Sequence, residues 1–478
     1  MATTETIVRP STPIVPEKMM LSPFDQFNGR HYLPLFCLFR QTDPKLTDVI
    51  LSELEEGLSR LLSEIPFLAG NVLLDDEERD LITAEIPEDG GVIFKVKRME
   101  DPAEGPVLDF AELEREGFPV SALNPVVMCP MPFLPDPVAP CLLVQVNLIR
   151  GGIVVATHFH HSVVDGEGAM AAIMQWGKHV TAVAEGRFVP ESGLLPPEAV
   201  DRTVLYPEKA PKMRLCDFPS YQDGREMPAD GESCWNVGER MEMTDPEKAK
   251  IVRAVNWYFT KEDLQQIEEK AVPKNPNDPK MTESSILSAF VFRHYTKARR
   301  LEEKGVKEAS YHYPCNIRSR IEPSLDPQYL GNAVAPSRTL LPLSEVFSTD
   351  DDALYKIAAA ISGSIDWWTS ENIWELLGAL EAWPRVRDIE RTMDLNCQTD
   401  FHLTNLSGFP ILEISWGPRM GNLVSFKLPA MALVNGYGLI MPRLLGGGLE
   451  VILYMDVDTL NVLKADQEFT QHARLVSE

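Results

Sequence analysis

No stretch constrains this chain more than residues 151–166, which read Gly-Gly-Ile-Val-Val-Ala-Thr-His-Phe-His-His-Ser-Val-Val-Asp-Gly. Its first half is an apolar, Val-rich run, which predicts a buried strand. The run ends in His158, His160 and His161, and the chain then turns at Asp165-Gly166. A helical pattern takes over from Ala169 to about Val183. A second apolar run, Cys141 to Leu148, precedes it across Ile149-Arg150-Gly151, so the two read as a hairpin that delivers the histidines.

On a strand, alternate side chains share a face. Thr157, Phe159 and His161 are therefore expected to point one way and His158 and His160 the other. One face keeps a single histidine, and the H-x-H-x-D-H spacing of metallohydrolases is absent, so no metal is expected. Any one of these histidines taken alone reads better as a satisfied core residue. The corner as a whole points to proton transfer, because an imidazole titrates near neutrality and can take a proton from an alcohol. Asp165, beyond the turn, is placed to pair with an arginine and hold the corner, as support rather than as a relay. Gly166 is expected to let the backbone turn without a Cβ clash. There is no G-x-S-x-G elbow, no Walker loop and no G-x-G-x-x-G after a strand.

The chain has 478 residues, enough for two or three domains. A formal charge of −26 leaves no excess of cations for nucleic-acid phosphates and argues against an anionic membrane surface. No apolar run reaches the roughly 18 residues of a membrane span. Seven scattered cysteines without C-x-x-C spacing disfavour a disulfide framework or structural zinc. With no basic and apolar leader at the N-terminus, the expected setting is cytoplasmic.

Residues 1–18 are polar and proline-punctuated and are expected to lie extended on the surface. Alternating strand and helix patterns in both halves predict a two-domain α/β protein. The expected divisions are residues 1–190, a proline-rich crossover at 191–250, and residues 251–478. In the second half Thr260 opens a helix through a capping box, and Thr282 caps another that runs to about Arg300.

His160-His161-Ser162-Val163-Val164-Asp165-Gly166 resembles the HHxxxDG signature of BAHD-type CoA-dependent acyltransferases, chloramphenicol acetyltransferases and peptide-synthetase condensation domains. Further stretches resemble the BAHD type, including its fungal, trichothecene-acetyltransferase-like branch that decorates natural products. Asn316-Ile317-Arg318-Ser319-Arg320 with Tyr329-Leu330-Gly331-Asn332 resembles the N-x-R-x-R and Y-F-G-N block. Gly447-Gly448-Leu449-Glu450-Val451 matches a late GGLEV strand, and Ser415-Trp416-Gly417 sits where DFGWG belongs. Only Trp416 and Gly417 of that last block remain. The family's Thr-Ser-Trp appears as Thr404-Asn405-Leu406, which keeps a hydroxyl and loses the Trp.

The resemblance implies two similar-sized chloramphenicol-acetyltransferase-like domains with mixed sheets and an active-site channel at their interface. It implies an acyl-CoA co-substrate, with acetyl-CoA the expected donor, a small-molecule alcohol or amine acceptor, and a monomer. His161 becomes the general base, Asp165 pairs with Arg318, and Thr404 is the candidate oxyanion donor. Gly166, Arg318, Trp416 and Gly417 become structural supports. Ser284, Ser285, Lys297 and Arg300, on or after one helix, are candidates for contacts to CoA. A condensation-type enzyme taking its acyl group from a carrier protein, and a catalytically silent binder, are the alternatives.

Overall fold

In the computed structural model the two runs before the corner form the expected hairpin. Leu142–Ile149 and Gly152–His160 pair antiparallel, and every residue of both is buried. Gly151 makes the turn at φ +72°. The hairpin lies inside its sheet, with Val92–Arg98 parallel on one side and Tyr32–Arg40 antiparallel on the other. Both faces of this sheet are also packed, and that two-sided cover calls for a continuous apolar run. Alternate residues of the sheet belong to two cores, Cys37 and Val155 under the helices and Phe36 and Val154 on the far side with Phe110. The structure describes residues 3–100, 107–130, 138–221, 252–389, 399–429 and 434–478, so residues 222–250 of the predicted crossover lie outside it.

The first sheet runs, edge to edge, Thr3–Val8, Val92–Arg98, Leu142–Ile149, Gly152–His160, Tyr32–Arg40 and Ser425–Lys427. The second runs Val334–Pro342, Glu308–Asn316, Asp400–Asn405, Tyr437–Ile440, Leu449–Asp456, Val252–Phe259 and Arg474–Ser477. Both mix parallel and antiparallel pairs. A four-stranded sheet of Glu17–Met20, Leu81–Ile86, Asn71–Asp76 and Val138–Pro140 lies beside them. The N-terminal residues expected to trail over the surface thus supply two strands. Thr3–Val8 is a largely exposed edge strand, and so carries no apolar alternation to betray it.

Ser425–Lys427 departs from the predicted division, because a piece of the 251–478 half adds an edge strand to the first sheet. It pairs only with Phe36–Leu38. Pro34 therefore lies beyond its end, where a missing N–H breaks no ladder bond. The crossing strand also carries Lys427, 1% exposed, onto Glu450 of the second sheet at 2.6 Å. Asn256 holds the other oxygen of that carboxylate at 2.8 Å.

Past the corner, Asp165 caps the helix Gly166–Ala184, which packs on Thr47–Glu64. A Cβ on Gly57 would meet Val180 at 2.6 Å, which is why these helices approach closely there. The expectation for Gly166 is corrected. Its φ is not positive, and a Cβ there would meet nothing nearer than Leu406 Cδ2 at 3.9 Å. The required glycine is Gly168, where a Cβ would strike the Leu330 carbonyl oxygen at 2.1 Å.

Glu450→Ala leaves Lys427 buried without its partner and is expected to cost about 3–5 kcal/mol, read from urea unfolding. Gly168→Ala is expected to lose about 1–3 kcal/mol through overpacking against backbone. Gly166→Ala should stay within about 0.5 kcal/mol in the same measurement.

Candidate active site

The corner opens onto a cavity of about 410 Å³ lined from both large sheets and the segments between them. Most of its wall is apolar, including Phe24, Leu33, Pro34, Leu406 and Leu439. Four of the nine histidines line it: His31, His161, His312 and His402. Among the described residues no lysine or arginine does. An apolar cavity with a few convergent polar groups is the usual form of a small-molecule site.

His161 sits one residue past the strand, which ends at His160, so the alternation expected to orient it does not extend that far. His158 and His160 do share a side, flanking the Tyr32 ring at 5.7 and 5.6 Å. Burial lowers both of their pKa values to about 3, with His161 and Arg30 adding to the effect at His160. They are neutral core histidines. The main chain of His161 is held at both ends: its N–H donates to His31 O at 2.8 Å, and its carbonyl accepts from Asn332 Nδ2 at 2.9 Å. Burial, the largest influence, lowers the pKa of its imidazole below the ordinary value. Its own carbonyl, the Asp165 carboxylate, the Val164 carbonyl and Asn332 pull the other way. The ring can therefore receive a proton at neutral pH.

Asp165, 1% exposed, spends its oxygens on structure. Oδ1 accepts from Gly168 N at 2.9 Å and from Arg318 Nη2 at 2.8 Å, and Oδ2 accepts from Ala333 N at 3.0 Å. Arg318 is also buried and donates to the carbonyls of Tyr329 and Gly331. A helix N-cap, an ion pair and the segment leading to Asn332 are thus fastened at one carboxylate.

Thr404 lines the cavity, with Oγ1 at 3.2 Å from His402 Nε2 and 3.4 Å from the Tyr437 hydroxyl. Trp416 is fully buried and packs edge-on against Phe39 and Trp176, at 5.2 and 5.1 Å. Gly417 follows at φ +90° against Ala184, a conformation that favours glycine. Both hold the segment before Ser425 onto the first half, away from the cavity wall.

The four proposed CoA contacts do not come together. Their helix spans Glu283–Ala298. At a rise of ~1.5 Å per residue it separates Ser284 from Lys297 by about 20 Å. Ser284 stands at the cavity end, where its Oγ accepts from Asn405 Nδ2 at 2.6 Å, and Asn405 lines the cavity. Ser285 is turned into the helix cap with Thr282. Lys297 lies 3.9 Å from Asp466 at the far end, and Arg300 follows the helix at φ +51°, exposed. At the helix start beside Ser284, Arg443 pairs with Glu283.

Several residues had no motif to announce them. The His31 ring stands 5.1 Å from that of His161, over Gly29, where a Cβ would collide with it at 2.3 Å. Asp25, buried in a capping box with Ser22, accepts from both nitrogens of Asn332 at 2.8 Å. Arg202, within the crossover, is buried 3.4 Å from Asp25 and donates to Val163 O at 2.8 Å. Among the described residues, no three His, Cys, Asp or Glu are grouped to hold a metal, and no helix is long and apolar enough to cross a membrane.

The chain matches the Transferase family over residues 1–470. It is 25% identical to acyltransferase easC of Emericella nidulans over 98% of this chain and 97% of that one. It is 24% identical to eremophilane O-acetyltransferase ORF8 of Penicillium roqueforti over 93% and 95%. Its fold matches that of F. graminearum TRI101, solved with coenzyme A and T-2 mycotoxin, with a TM-score of 0.80 at 18% identity, covering 96% of this chain and 100% of the other. The α/β fold with mixed sheets, the full-length match and the HHxxxDG corner converge, and the chain belongs to the Transferase family of BAHD-like acyltransferases.

Proposed function

We propose that the protein transfers a short acyl group, acetyl being the first to test, from CoA to a hydroxyl of a specialised metabolite, in one ternary complex. The observation that carries this reading is a neutral, buried imidazole on the wall of an apolar cavity bordered by both sheets. Relatives named as acyltransferases and O-acetyltransferases, and the CoA and mycotoxin held by TRI101, support it.

In this reading His161 takes the proton of the acceptor hydroxyl as its oxygen bonds to the thioester carbonyl carbon. The carbonyl oxygen becomes an oxyanion, which receives a hydrogen bond from Thr404. The intermediate collapses, the C–S bond breaks with its electron pair leaving on sulfur, and His161 returns the proton to the thiolate. An ester and free CoA result. Asp165 and Arg318 hold the corner and carry no proton. Ser284 and Asn405 mark the side from which the donor enters, and the nucleotide phosphates stay outside a cavity that offers them no cation.

A calorimetric titration with CoA and acetyl-CoA tests the donor. Micromolar binding that survives in His161→Ala is expected, with turnover lower by about 10²–10⁴-fold. No binding to either ligand would overturn the free-CoA reading in favour of a carrier-protein thioester or a silent binder. Because the pKa of His161 lies below its ordinary value, the active neutral ring persists down through pH 6.5. The acidic limb of kcat/KM is therefore expected to have its midpoint below 6.5, with activity lost as pH falls through it. A midpoint above 6.5 would contradict this environment for the base.

A further inference from the structure

Three strands bring an unannounced set of hydroxyl and imidazole groups to the cavity. Glu308–Asn316, Asp400–Asn405 and Tyr437–Ile440 run parallel in sequence across the sheet, with His312 opposite His402 and His402 opposite Tyr437. Gly436, at φ +94°, admits this approach, since a Cβ there would meet Asp400 O at 2.6 Å. The His402 and Tyr437 rings stack 5.1 Å apart with 7° between their planes. Tyr454 closes on Tyr437 from the other side at 5.7 Å. With the rings held face to face, their polar edges converge on the residue two positions along the strand, which shares the face of His402. That residue is Thr404, whose Oγ1 is 3.2 Å from His402 Nε2 and 3.4 Å from the Tyr437 hydroxyl.

A threonine hydroxyl has one proton and two lone pairs. If both neighbours donate to Oγ1, both lone pairs are filled and the only group left to offer the cavity is its own O–H. We propose that His402 and Tyr437 are positioning residues that fill the lone pairs of Thr404 and so aim its proton at the oxyanion of the acyl transfer. The proposal rests on the reading of Thr404 as oxyanion donor. It goes beyond that reading by explaining why a freely rotating hydroxyl is already oriented before the reaction. Such preorganisation is what makes a donor effective in a largely apolar cavity. Burial raises the pKa of the Tyr437 phenol, so it remains protonated and able to donate at neutral pH. The opposite orientation, with a neutral His402 Nε2 accepting the threonine proton, would turn that proton away from the cavity.

The test is thiol release from saturating acetyl-CoA, with water as acceptor and the intact chain as enzyme, alongside calorimetric CoA affinity. Thr404→Ala is expected to lower kcat about 10²–10³-fold. His402→Leu and Tyr437→Phe should each lower it about tenfold, with CoA affinity unchanged within about twofold. His402→Gln, whose amide N–H can replace Nε2–H, should restore most of the loss. Added to Thr404→Ala, neither His402→Leu nor Tyr437→Phe should reduce kcat further, because both act through the missing hydroxyl. An unchanged or faster His402→Leu with a crippled Thr404→Ala overturns the positioning role alone. Fully additive losses in the double variants overturn it as well. A Thr404→Ala enzyme as fast as the parent overturns the oxyanion reading, and a parent that binds neither CoA nor acetyl-CoA overturns the acyl-CoA reading together with the relay.

Discussion

Three donors converge on one buried carboxylate at the base of the corner. Asp165 receives the Gly168 amide, the Arg318 guanidinium and the Ala333 amide, and it does so almost completely removed from water. A buried charge is tolerated only when it is paired and hydrogen-bonded. Here the pairing also satisfies an orphan amide at a helix start, where negative charge is favoured. One residue therefore fixes the helix after His161, the arginine of a distant loop, and the backbone that ends in Asn332. With every partner committed to structure, the pair is unsuited to carry protons. This separates the corner from arrangements in which a carboxylate orients the imidazole directly.

The two halves are interlocked rather than merely adjacent. Trp416 is driven into the core of the first half, and the chain then adds Ser425–Lys427 to that half's sheet before returning to its own. Asn332 and Asp25 join across the same boundary, and Arg202 ties the crossover to both. A cavity whose wall is shared by two sheets keeps its shape only if the sheets are held in register, and these contacts do so from three directions.

Much of this was legible where the chemistry is local. The hairpin, the turn and the helix after it follow from an apolar run that breaks into histidines and ends at a capping Asp. The Asp165–Arg318 partnership was legible only through the N-x-R-x-R resemblance, since 153 positions separate the two. The glycine was misplaced by two residues because its need arises from the Leu330 carbonyl, a neighbour that exists only after folding. Lys297 and Arg300 were grouped with Ser284 for sharing one helix, whereas helical rise sets them at its opposite ends. Thr3–Val8 was missed because an exposed edge strand leaves no apolar alternation. The meeting of His402 and Tyr437 has no sequence signature, because parallel register between distant strands is written in neither strand.

The way His161 is held has a consequence for how such a scaffold can change. Its main chain is gripped at both ends, the amide by His31 O and the carbonyl by Asn332. Every amino acid except proline offers the same two groups. These two backbone anchors do not depend on which side chain stands at position 161. The path of the chain at the cavity wall and the identity of the residue displayed there are thus specified separately, so a change of side chain leaves both main-chain anchors available.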